Sequence, residues 1–339
     1  MLHALCLEER AMSFKDVLGH SKPIEFLKRA IHQDKVSHSY LFLGNEGIGK
    51  KWVALQFAKA LNCLEGTMEK GDACDHCPSC KKIDHHLHPD VLIIEPEGQT
   101  LKVDQVRQMQ RGLAYRPYEG QRRVCILTAA DRMAPNMSNT LLKTLEEPPL
   151  HTVIILLANN PRRLLPTILS RCQPIHFHPL SIPLVSNWLM EQKGFNEKEA
   201  HLLSSLSEGS PGKALEIREE IDQIPRDELL MDFIGLKSLP FEKKESWAES
   251  LSSNRENLIL ILEVAKTLLR DLVVIKTLKD SSKLIHSDLL QVIEVLASKW
   301  NLSSLLNRME VLHQTILTIR SNANMTLALE AMMLSWAEG

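Results

Sequence analysis

The chain has 339 residues and a formal net charge of −2, so it is long enough for two or three domains that each bury a core. It has neither a polybasic tail nor a long acidic run, and its composition therefore argues neither for nor against nucleic-acid binding. No apolar run approaches the length that a membrane span requires, and residues 1–9 carry acids where a signal peptide carries bases. We expect a cytoplasmic protein with no membrane partner, which begins at Met1 or at Met12.

A glycine-rich stretch, Gly44-Asn45-Glu46-Gly47-Ile48-Gly49-Lys50-Lys51, lies between an apolar run and a helical pattern. Strand, glycine-rich turn and helix are the context of a phosphate-binding loop, in which backbone N–H groups converge on an anion. We expect Gly44, Gly47, Gly49 and Lys50 to form a phosphate cradle; the alternative is a glycine-rich turn without a ligand. Lys51 stands where the motif has Ser or Thr to hold Mg²⁺, and an ammonium cannot ligate a cation. The pattern is thus compatible with binding of ATP or ADP but not with hydrolysis.

Four of the seven cysteines fall between residues 63 and 80, with the spacing C-x10-C-x2-C-x2-C. A C-x2-C turn can direct two sulfurs at one point, and four thiolates form the closed tetrahedral shell of a structural zinc. In a protein without an export signal, such a cluster indicates metal ligation before disulfides. We predict one structural Zn²⁺ held by Cys63, Cys74, Cys77 and Cys80. The nearby histidines are predicted to be solvated loop residues, not ligands: His76, His85, His86 and His88.

Beyond the glycine loop, apolar runs of strand length alternate with helical patterns. The predicted strands cover residues 40–43, 90–95, 124–127, 153–158 and 175–177, and the predicted helices cover 52–61, 103–115, 136–147 and 164–169. This alternation predicts an α/β domain with a mostly parallel sheet that helices cover on both faces. Cys125, within the third strand, is expected to be a plain core residue.

After a breaker cluster at residues 179–183, the chain is predicted to be wholly helical. Residues 184–220 are predicted to form a small helical module with a turn at 209–212, and the helices lengthen from about residue 226. Two apolar stripes repeat with steps of four and three: Leu258, Leu262, Ala265, Leu269 and Leu272, then Leu305, Met309, Leu312, Ile316 and Ile319. We interpret these stripes as the internal core of a helical bundle, with packing against a partner chain as the alternative.

Acidic residues are missing where a P-loop ATPase needs them. At the end of a neighbouring strand, an Asp holds Mg²⁺, and in many such enzymes a Glu beside it polarises the attacking water. The strand at 124–127 is followed directly by Thr128 and Ala129, and Asp131 comes later, where we expect it to cap or turn the following segment. Together with Lys51, this predicts a nucleotide fold without hydrolytic chemistry of its own.

The tripeptide Ser170-Arg171-Cys172 follows a short predicted helix at the edge of the α/β domain. A guanidinium at such an edge can stabilise the γ-phosphate of a neighbouring subunit, as an arginine finger supplied in trans. The alternative is a surface salt bridge, which is the more common role of a lone arginine.

Two motifs resemble the bacterial replicative clamp-loader subunits of the AAA+ class. They are Leu141-Leu142-Lys143-Thr144-Leu145-Glu146-Glu147-Pro148-Pro149 and Thr167-Ile168-Leu169-Ser170-Arg171-Cys172. The four-cysteine insert is similar to the zinc module of the same subunits, and together the motifs run from about Val17 to Leu215, over half of the chain.

At several positions this chain differs from the motor subunits of that family (tau/gamma), and these differences indicate to which branch of the family it is similar. The motors carry Asp-Glu where this chain has Thr128-Ala129, and Thr or Ser where it has Lys51. In the small helical module they carry an Arg where this chain offers Lys213. The chain therefore resembles the ATPase-silent branch of the family.

The resemblance implies three domains: an AAA+ nucleotide-binding-like domain at 1–180 with its zinc module at 63–80, a small helical lid at 181–225 and a helical collar at 226–339 that assembles a five-member ring. It implies that Arg171 is the arginine finger for an adjacent motor subunit. The expected partners are the tau/gamma motor subunits and the delta subunit in a hetero-pentamer, with the sliding clamp and primer–template DNA reached through the complex. The expected function is clamp loading within the DNA polymerase III holoenzyme, without intrinsic ATPase activity.

Two alternatives stay open at this point. The first is a motor-type clamp-loader ATPase with a degenerate site, against which Lys51, Thr128 and Ala129 argue. The second is a stand-alone zinc-dependent nucleic-acid-binding protein, which requires a basic face or stacking aromatics. A net charge of −2 and scattered aromatic residues give little support to the second.

Overall fold

The computed structural model describes residues 13–65, 71–96, 98, 101–222, 224–235, 247–249, 251 and 255–338. The chain forms two compact units, of which the first comprises Met1–Ser181 with Ser210–Gly212 and the second comprises Ile182–Gly209 with Lys213–Gly339. The choice between Met1 and Met12 as the first residue lies outside the described residues. The finer division of the helical part into a lid and a collar stays a prediction.

The first unit is built around a sheet of five strands in the order β2-β3-β4-β1-β5, and every pairing is parallel. The strands are β1 (Ser39–Leu43), β2 (Val91–Ile94), β3 (Arg123–Leu127), β4 (Thr152–Ala158) and β5 (Gln173–His176). The helices are α1 (Ser21–His32), α2 (Lys50–Asn62), α3 (Pro78–Asp84), α4 (Val103–Leu113), α5 (Pro135–Glu146) and α6 (Pro166–Leu169). The predicted parallel α/β sheet is confirmed, and the predicted ends of its strands differ by one or two residues.

Alternation along the strands places side chains on both faces of the sheet, because successive residues of a strand point in opposite directions. In β1, Tyr40 and Phe42 join one buried cluster, which α1 and α2 cover. Leu41 and Leu43 join a second cluster, which α4 and α5 cover. Helices therefore bury both faces, and the strands read as continuous apolar runs for this reason. Cys125 is fully buried in β3, as expected of a core residue.

The second unit is helical throughout the part that the structure describes. Its helices are α7 (Ile182–Lys193), α8 (Glu197–Leu206), α9 (Pro211–Ile221, whose first two residues belong to the first unit), α10 (Arg226–Gly235), α11 (Arg255–Leu278), α12 (Leu290–Lys299), α13 (Leu302–Arg320) and α14 (Met325–Glu338). The predicted apolar stripe of α11 is buried at all five positions, and that of α13 is buried except at half-buried Met309. The interpretation of both stripes as internal core is confirmed. Of the described helices, none is long and apolar enough to cross a membrane.

Candidate functional site

The glycine-rich loop joins the carboxyl end of β1 to the first turn of α2. Gly47 and Gly49 have φ angles of 71° and 106°, a backbone conformation that glycine adopts without the steric cost of a Cβ. These two residues let the chain curl, and Lys50 then begins α2. The predicted residues of the loop are thus placed in the strand–turn–helix context that a phosphate cradle requires.

Oxygen atoms of the chain itself surround the ammonium of Lys50. Its Nζ donates to the carbonyl oxygens of Gly44 and Asn45 at 2.6 and 2.7 Å, and to Oδ1 of Asn159 at 2.8 Å. Burial lowers the pKa of Lys50 to about 8, against the raising effect of the Glu46 and Asp131 carboxylates. A phosphate that used Lys50 would have to draw its ammonium away from these three acceptors.

The positions that carry the hydrolytic chemistry of P-loop ATPases hold other groups here. Nζ of Lys51 forms an ion pair with Oε1 of Glu95 at 2.6 Å. Directly after β3, the hydroxyl of Thr128 donates to the carbonyl of Ile94 at 3.2 Å, and Ala129 offers only a methyl group. These three side chains supply neither a carboxylate for Mg²⁺ nor a base for water.

Asp131 was predicted to cap or turn the segment that follows it. It does not cap that segment, but it lies within a short 3-10 turn, Ala130–Arg132, as the second part of the prediction allows. The residue is buried, and its Oδ2 accepts a hydrogen bond from the backbone N–H of Asn160 at 3.0 Å. The carboxylate therefore fixes the chain after β4, the strand next to β3 in the sheet. Sequence reasoning could not find this partner because it did not provide the strand order.

Asn159 is a site residue that sequence reasoning missed. It follows the last residue of β4, and its side chain reaches both Nζ of Lys50 and, through Nδ2, a carboxylate oxygen of Glu46 at 3.3 Å. In a parallel sheet the carboxyl ends of adjacent strands meet at one edge, and β4 lies beside β1. A polar residue directly after a buried strand was the available signal.

The segment Ser210–Gly212 packs on the glycine loop within the first unit. The hydroxyl of Ser210 donates to the carbonyl of Glu46 at 2.7 Å, and the N–H of Gly212 donates to the carbonyl of Gly47 at 2.8 Å. A Cβ at position 212 would lie 2.8 Å from both Cα and O of Gly47. The two backbones can approach so closely because Gly212 has no Cβ.

Arg171 lies at the amino-terminal ends of the strands, whereas the glycine loop lies at their carboxyl ends. It precedes β5, and its carbonyl accepts a hydrogen bond at 2.6 Å from the hydroxyl of Ser39, the first residue of β1. The glycine loop begins after Leu43, the last residue of β1. Four steps of about 3.3 Å each separate these strand ends, or roughly 13 Å. Arg171 is therefore out of reach of the loop of its own chain.

The guanidinium of Arg171 is partly exposed and held by neighbouring groups. Its Nη2 forms an ion pair with Oε1 of Glu146 at 2.6 Å, and its Nη1 donates to the carbonyl of Thr167 at 2.9 Å. Glu146 ends α5 and Thr167 lies in α6. The two residues that orient Arg171 therefore belong to the two motifs that carried the family resemblance.

The four predicted cysteines converge in one cluster. All four sulfurs lie within 4.8 Å of one another, with Cys63 Sγ 3.9 Å from Cys77 Sγ and Cys74 Sγ 4.0 Å from Cys80 Sγ. A regular tetrahedron with zinc–sulfur bonds near 2.3 Å has edges of about 3.8 Å. The separations thus suit a single Zn²⁺ with four sulfur ligands.

Backbone N–H groups point at each of these sulfurs. The N–H groups of Cys74, Cys77 and Cys80 donate to the sulfurs of Cys63, Cys74 and Cys77 at 3.3, 3.3 and 3.5 Å, and that of Asp75 donates to Cys80. Burial raises the pKa of the Cys77 thiol, but the N–H groups of Cys80 and Leu64, together with the neighbouring sulfurs, outweigh it and lower the pKa to about 7. Burial raises the pKa of Cys74 and Cys80, against the N–H groups that donate to them. Such donors favour thiolates, the form that binds a metal.

The histidines near the cluster divide into two groups. His85 and His86 are exposed as predicted, and His76 is exposed with Nδ1 2.6 Å from the carbonyl oxygen of Cys74. His88 is buried, so its prediction as a solvated loop residue is wrong. Its Nδ1 accepts a hydrogen bond at 3.1 Å from the N–H of Asp90, the residue immediately before β2.

The parallel sheet and the glycine-rich loop between β1 and α2 define a protein of the α/β class, with the strand order expected of an AAA+ domain. Residues 19–181 match the family model described as DNA polymerase III, delta subunit. Residues 235–338 match a second model, described as DNA polymerase III, delta subunit, C terminal. The two matches lie in the α/β part and in the helical part of the chain.

Similarity to two curated relatives extends over most of the chain. DNA polymerase III subunit delta' of Bacillus subtilis (strain 168) is 30% identical over 346 residues, which cover 97% of this chain and 100% of that protein. Subunit delta' of Pseudomonas aeruginosa (strain PAO1) is 31% identical over 307 residues, which cover 89% and 92%. The chain belongs to the family of DNA polymerase III delta-prime subunits.

The motor-type alternative has narrower support. DNA polymerase III subunit tau/gamma of Haemophilus influenzae is 31% identical over 216 residues, but these cover 62% of this chain and 31% of that protein. The match to a motor subunit thus covers a smaller share of both chains than the delta-prime matches do. The resemblance to the clamp-loader family, and within it to the branch other than tau/gamma, is confirmed.

Proposed function

We propose that this protein is the ATPase-silent delta-prime subunit of a bacterial clamp loader, which helps to load a sliding clamp onto primed DNA during replication. The similarity to delta-prime subunits over nearly the whole chain carries this proposal. The side chains at Lys51, Thr128 and Ala129 support the silent site, because they provide no ligand for Mg²⁺ and no base for water. The proposed location is the cytoplasm.

The glycine loop is proposed to bind ATP or ADP weakly, if its own contacts open, and not to turn it over. The N-terminus of α2 still offers the partial positive charge that favours a phosphate. Lys50, however, is engaged by Gly44, Asn45 and Asn159. Binding must therefore compete with three hydrogen bonds within the chain.

Arg171 is proposed to be an arginine finger for a neighbouring motor subunit. It lies at the amino-terminal ends of the strands, too far from the glycine loop to contact a phosphate bound there. Its guanidinium is partly exposed and therefore accessible to another chain. Contacts with Glu146 and Thr167 hold it in one orientation. A planar, permanently charged guanidinium suits the charge that develops on a γ-phosphate in the transition state.

The partners follow from the same proposal. The chain would join tau/gamma motor subunits and a delta subunit in a hetero-pentameric ring, with a lid at 181–225 and a collar at 226–339. The sliding clamp and the primer–template DNA would be reached through the complex. Cys63, Cys74, Cys77 and Cys80 would hold a structural Zn²⁺, which supplies folding energy to the loops between α2 and α3 and takes no part in the chemistry of ATP.

Reconstitution with the cognate motor and delta subunits tests this function. The isolated chain should show background ATPase activity, and the complex with Arg171→Ala should assemble normally but load clamps poorly. DNA-stimulated ATPase of the whole complex should fall only in part, because other motor sites have fingers of their own; a finger contributes on the order of 10³-fold or more where it acts. Arg171→Lys should restore little, because an ammonium lacks the planar fork.

Arg162→Ala, which removes another exposed arginine of the same unit, serves as the matched control. Equal assembly is checked by gel filtration before rates are compared. Unchanged loading and ATPase in Arg171→Ala would show that Arg171 is only a surface arginine. ATP turnover by the isolated chain that disappears in Lys50→Ala would refute the silent site.

A further inference from the structure

Lys59 lies in the third turn of α2, and its side chain is fully buried. Its Nζ forms an ion pair with Oδ1 of Asp75 at 2.7 Å, and it donates to both carboxylate oxygens of Asp84 at 2.7 and 2.9 Å. Burial opposes the charged form, but these two carboxylates outweigh it and raise the pKa of Lys59. The residue is therefore a buried cation that joins α2 to two separate parts of the cysteine cluster.

Asp75 connects this cation to a sulfur. It lies in the turn between Cys74 and Cys77, with a φ of 66°, in the left-handed region that Asp and Asn adopt more readily than most residues. In this conformation its N–H donates to the sulfur of Cys80. The side chain of Asp75 is held by Lys59 and its backbone holds Cys80, so the two contacts depend on one another.

Asp84 provides the second connection. It is the last residue of α3, which contains Cys80, and Cys77 immediately precedes that helix. The bidentate contact with Lys59 therefore fixes the end of the short helix that positions Cys80. Helices of seven residues have little stability of their own, so α3 depends on contacts of this kind.

We propose that Lys59 is a positioning residue of the cysteine site, which slows the loss of zinc by holding Asp75 and Asp84. The proposal rests on the zinc site proposed above and adds to it a group outside the ligand shell. Groups that orient metal ligands typically change metal affinity by about 10- to 100-fold when they are removed. The competing explanation is that Lys59 only anchors the insert to α2 and affects stability alone.

Zinc release distinguishes the two explanations. The purified full chain is mixed with an excess of a zinc chelator, and the rate of zinc transfer is followed with a chromogenic indicator. Lys59→Met and Asp75→Asn should each speed release by about 10-fold. Because Lys59→Met already removes the contact that Asp75→Asn removes, the double variant should be no faster than Lys59→Met alone.

Lys82→Met is the matched control. Lys82 also lies in α3, two residues from Cys80, but its ion pair at 2.6 Å is with Glu119, outside the insert, and both side chains are partly exposed. The substitution Lys82→Met removes one positive charge near the cysteine cluster and leaves the contacts of Asp75 and Asp84 with Lys59 in place. Its zinc release should match that of the wild type, which excludes a general effect of charge.

The outcomes separate this inference from the zinc site itself. If wild-type protein purified without chelator contains no zinc, both the zinc site and the positioning role of Lys59 are overturned. One zinc per wild-type chain, with unchanged release in Lys59→Met and Asp75→Asn, would overturn the positioning role and leave the zinc site intact. If Lys59→Met does not fold, as judged by circular dichroism, Asp75→Asn decides the matter, because its carboxylate is replaced by an amide of the same shape.

Discussion

Replacing Gly212 with alanine tests whether the segment Ser210–Gly212 is bound to the glycine loop. An added Cβ would lie 2.8 Å from Cα and O of Gly47, and backbone atoms at that distance have to move. Overpacking of this kind costs about 1–3 kcal/mol. The hydrogen bond from Gly212 N–H to the carbonyl of Gly47, at 2.8 Å, contributes about 1 kcal/mol more. Alanine gains at most ~1 kcal/mol over glycine in a helix.

These magnitudes give a net loss of about 2 kcal/mol for Gly212→Ala. Because 1.4 kcal/mol corresponds to a factor of ten, local opening of the segment should become about 30-fold more frequent. Hydrogen exchange of peptides that cover residues 44–50 and 210–213 measures this opening directly. A single unfolding curve is less suitable, since a chain with two compact units need not unfold in one step.

Gly112→Ala is the control for this experiment. Gly112 lies in α4, and a Cβ there would meet no atom within 4 Å. Alanine at that position should be neutral or stabilise the protein by up to ~1 kcal/mol. Exchange in Gly212→Ala that equals exchange in Gly112→Ala would refute the close packing of the segment on the glycine loop.

Two further predictions concern the cysteine cluster and the helical unit. Elemental analysis should find one zinc in the wild type, and Cys77→Ser should lose the metal and destabilise the insert while the sheet remains folded, because metal binding is partly folding energy; disulfides among the four cysteines would contradict this. Burial lowers the pKa of His286 to about 3, with the Arg226 charge adding to the effect and Asp288 opposing it. An unfolded histidine has a pKa near 6.5, so below that pH the unfolded chain binds a proton that folded His286 does not. His286 should therefore leave the free energy of unfolding unchanged above pH 6.5 and lower it by on the order of 1 kcal/mol per pH unit between about pH 6.5 and 3. His286→Gln should flatten, between pH 7 and pH 5, the pH dependence of the urea midpoint at which peptides of the second unit lose their protection from hydrogen exchange, whereas exposed His313→Gln should not; equal slopes in both variants would exclude His286 as the cause.

The succession of strands and helices along the chain and the convergence of the four cysteines could be predicted from the sequence because each depends on residues that are close in sequence. Continuous apolar runs predicted the strands of a buried parallel sheet, and the strands formed with small shifts at their ends. The C-x2-C spacing predicted that Cys74 and Cys77 share one point, since a short turn fixes where both sulfurs lie. The burial of the α11 stripe followed from its helical period in the same way.

Contacts between distant segments appeared only in the tertiary structure. Asn159 meets Lys50, and Asp131 meets Asn160, because β4 lies between β3 and β1, and no local pattern encodes that order. His88 looked like one more loop histidine until the start of β2 placed it inside. Lys59 looked like an ordinary helix residue until the cysteine insert folded back over α2 and brought two carboxylates to it. Burial and charge pairing are properties of the folded chain, so a residue's type and spacing could suggest them only where the partner was a near neighbour in sequence.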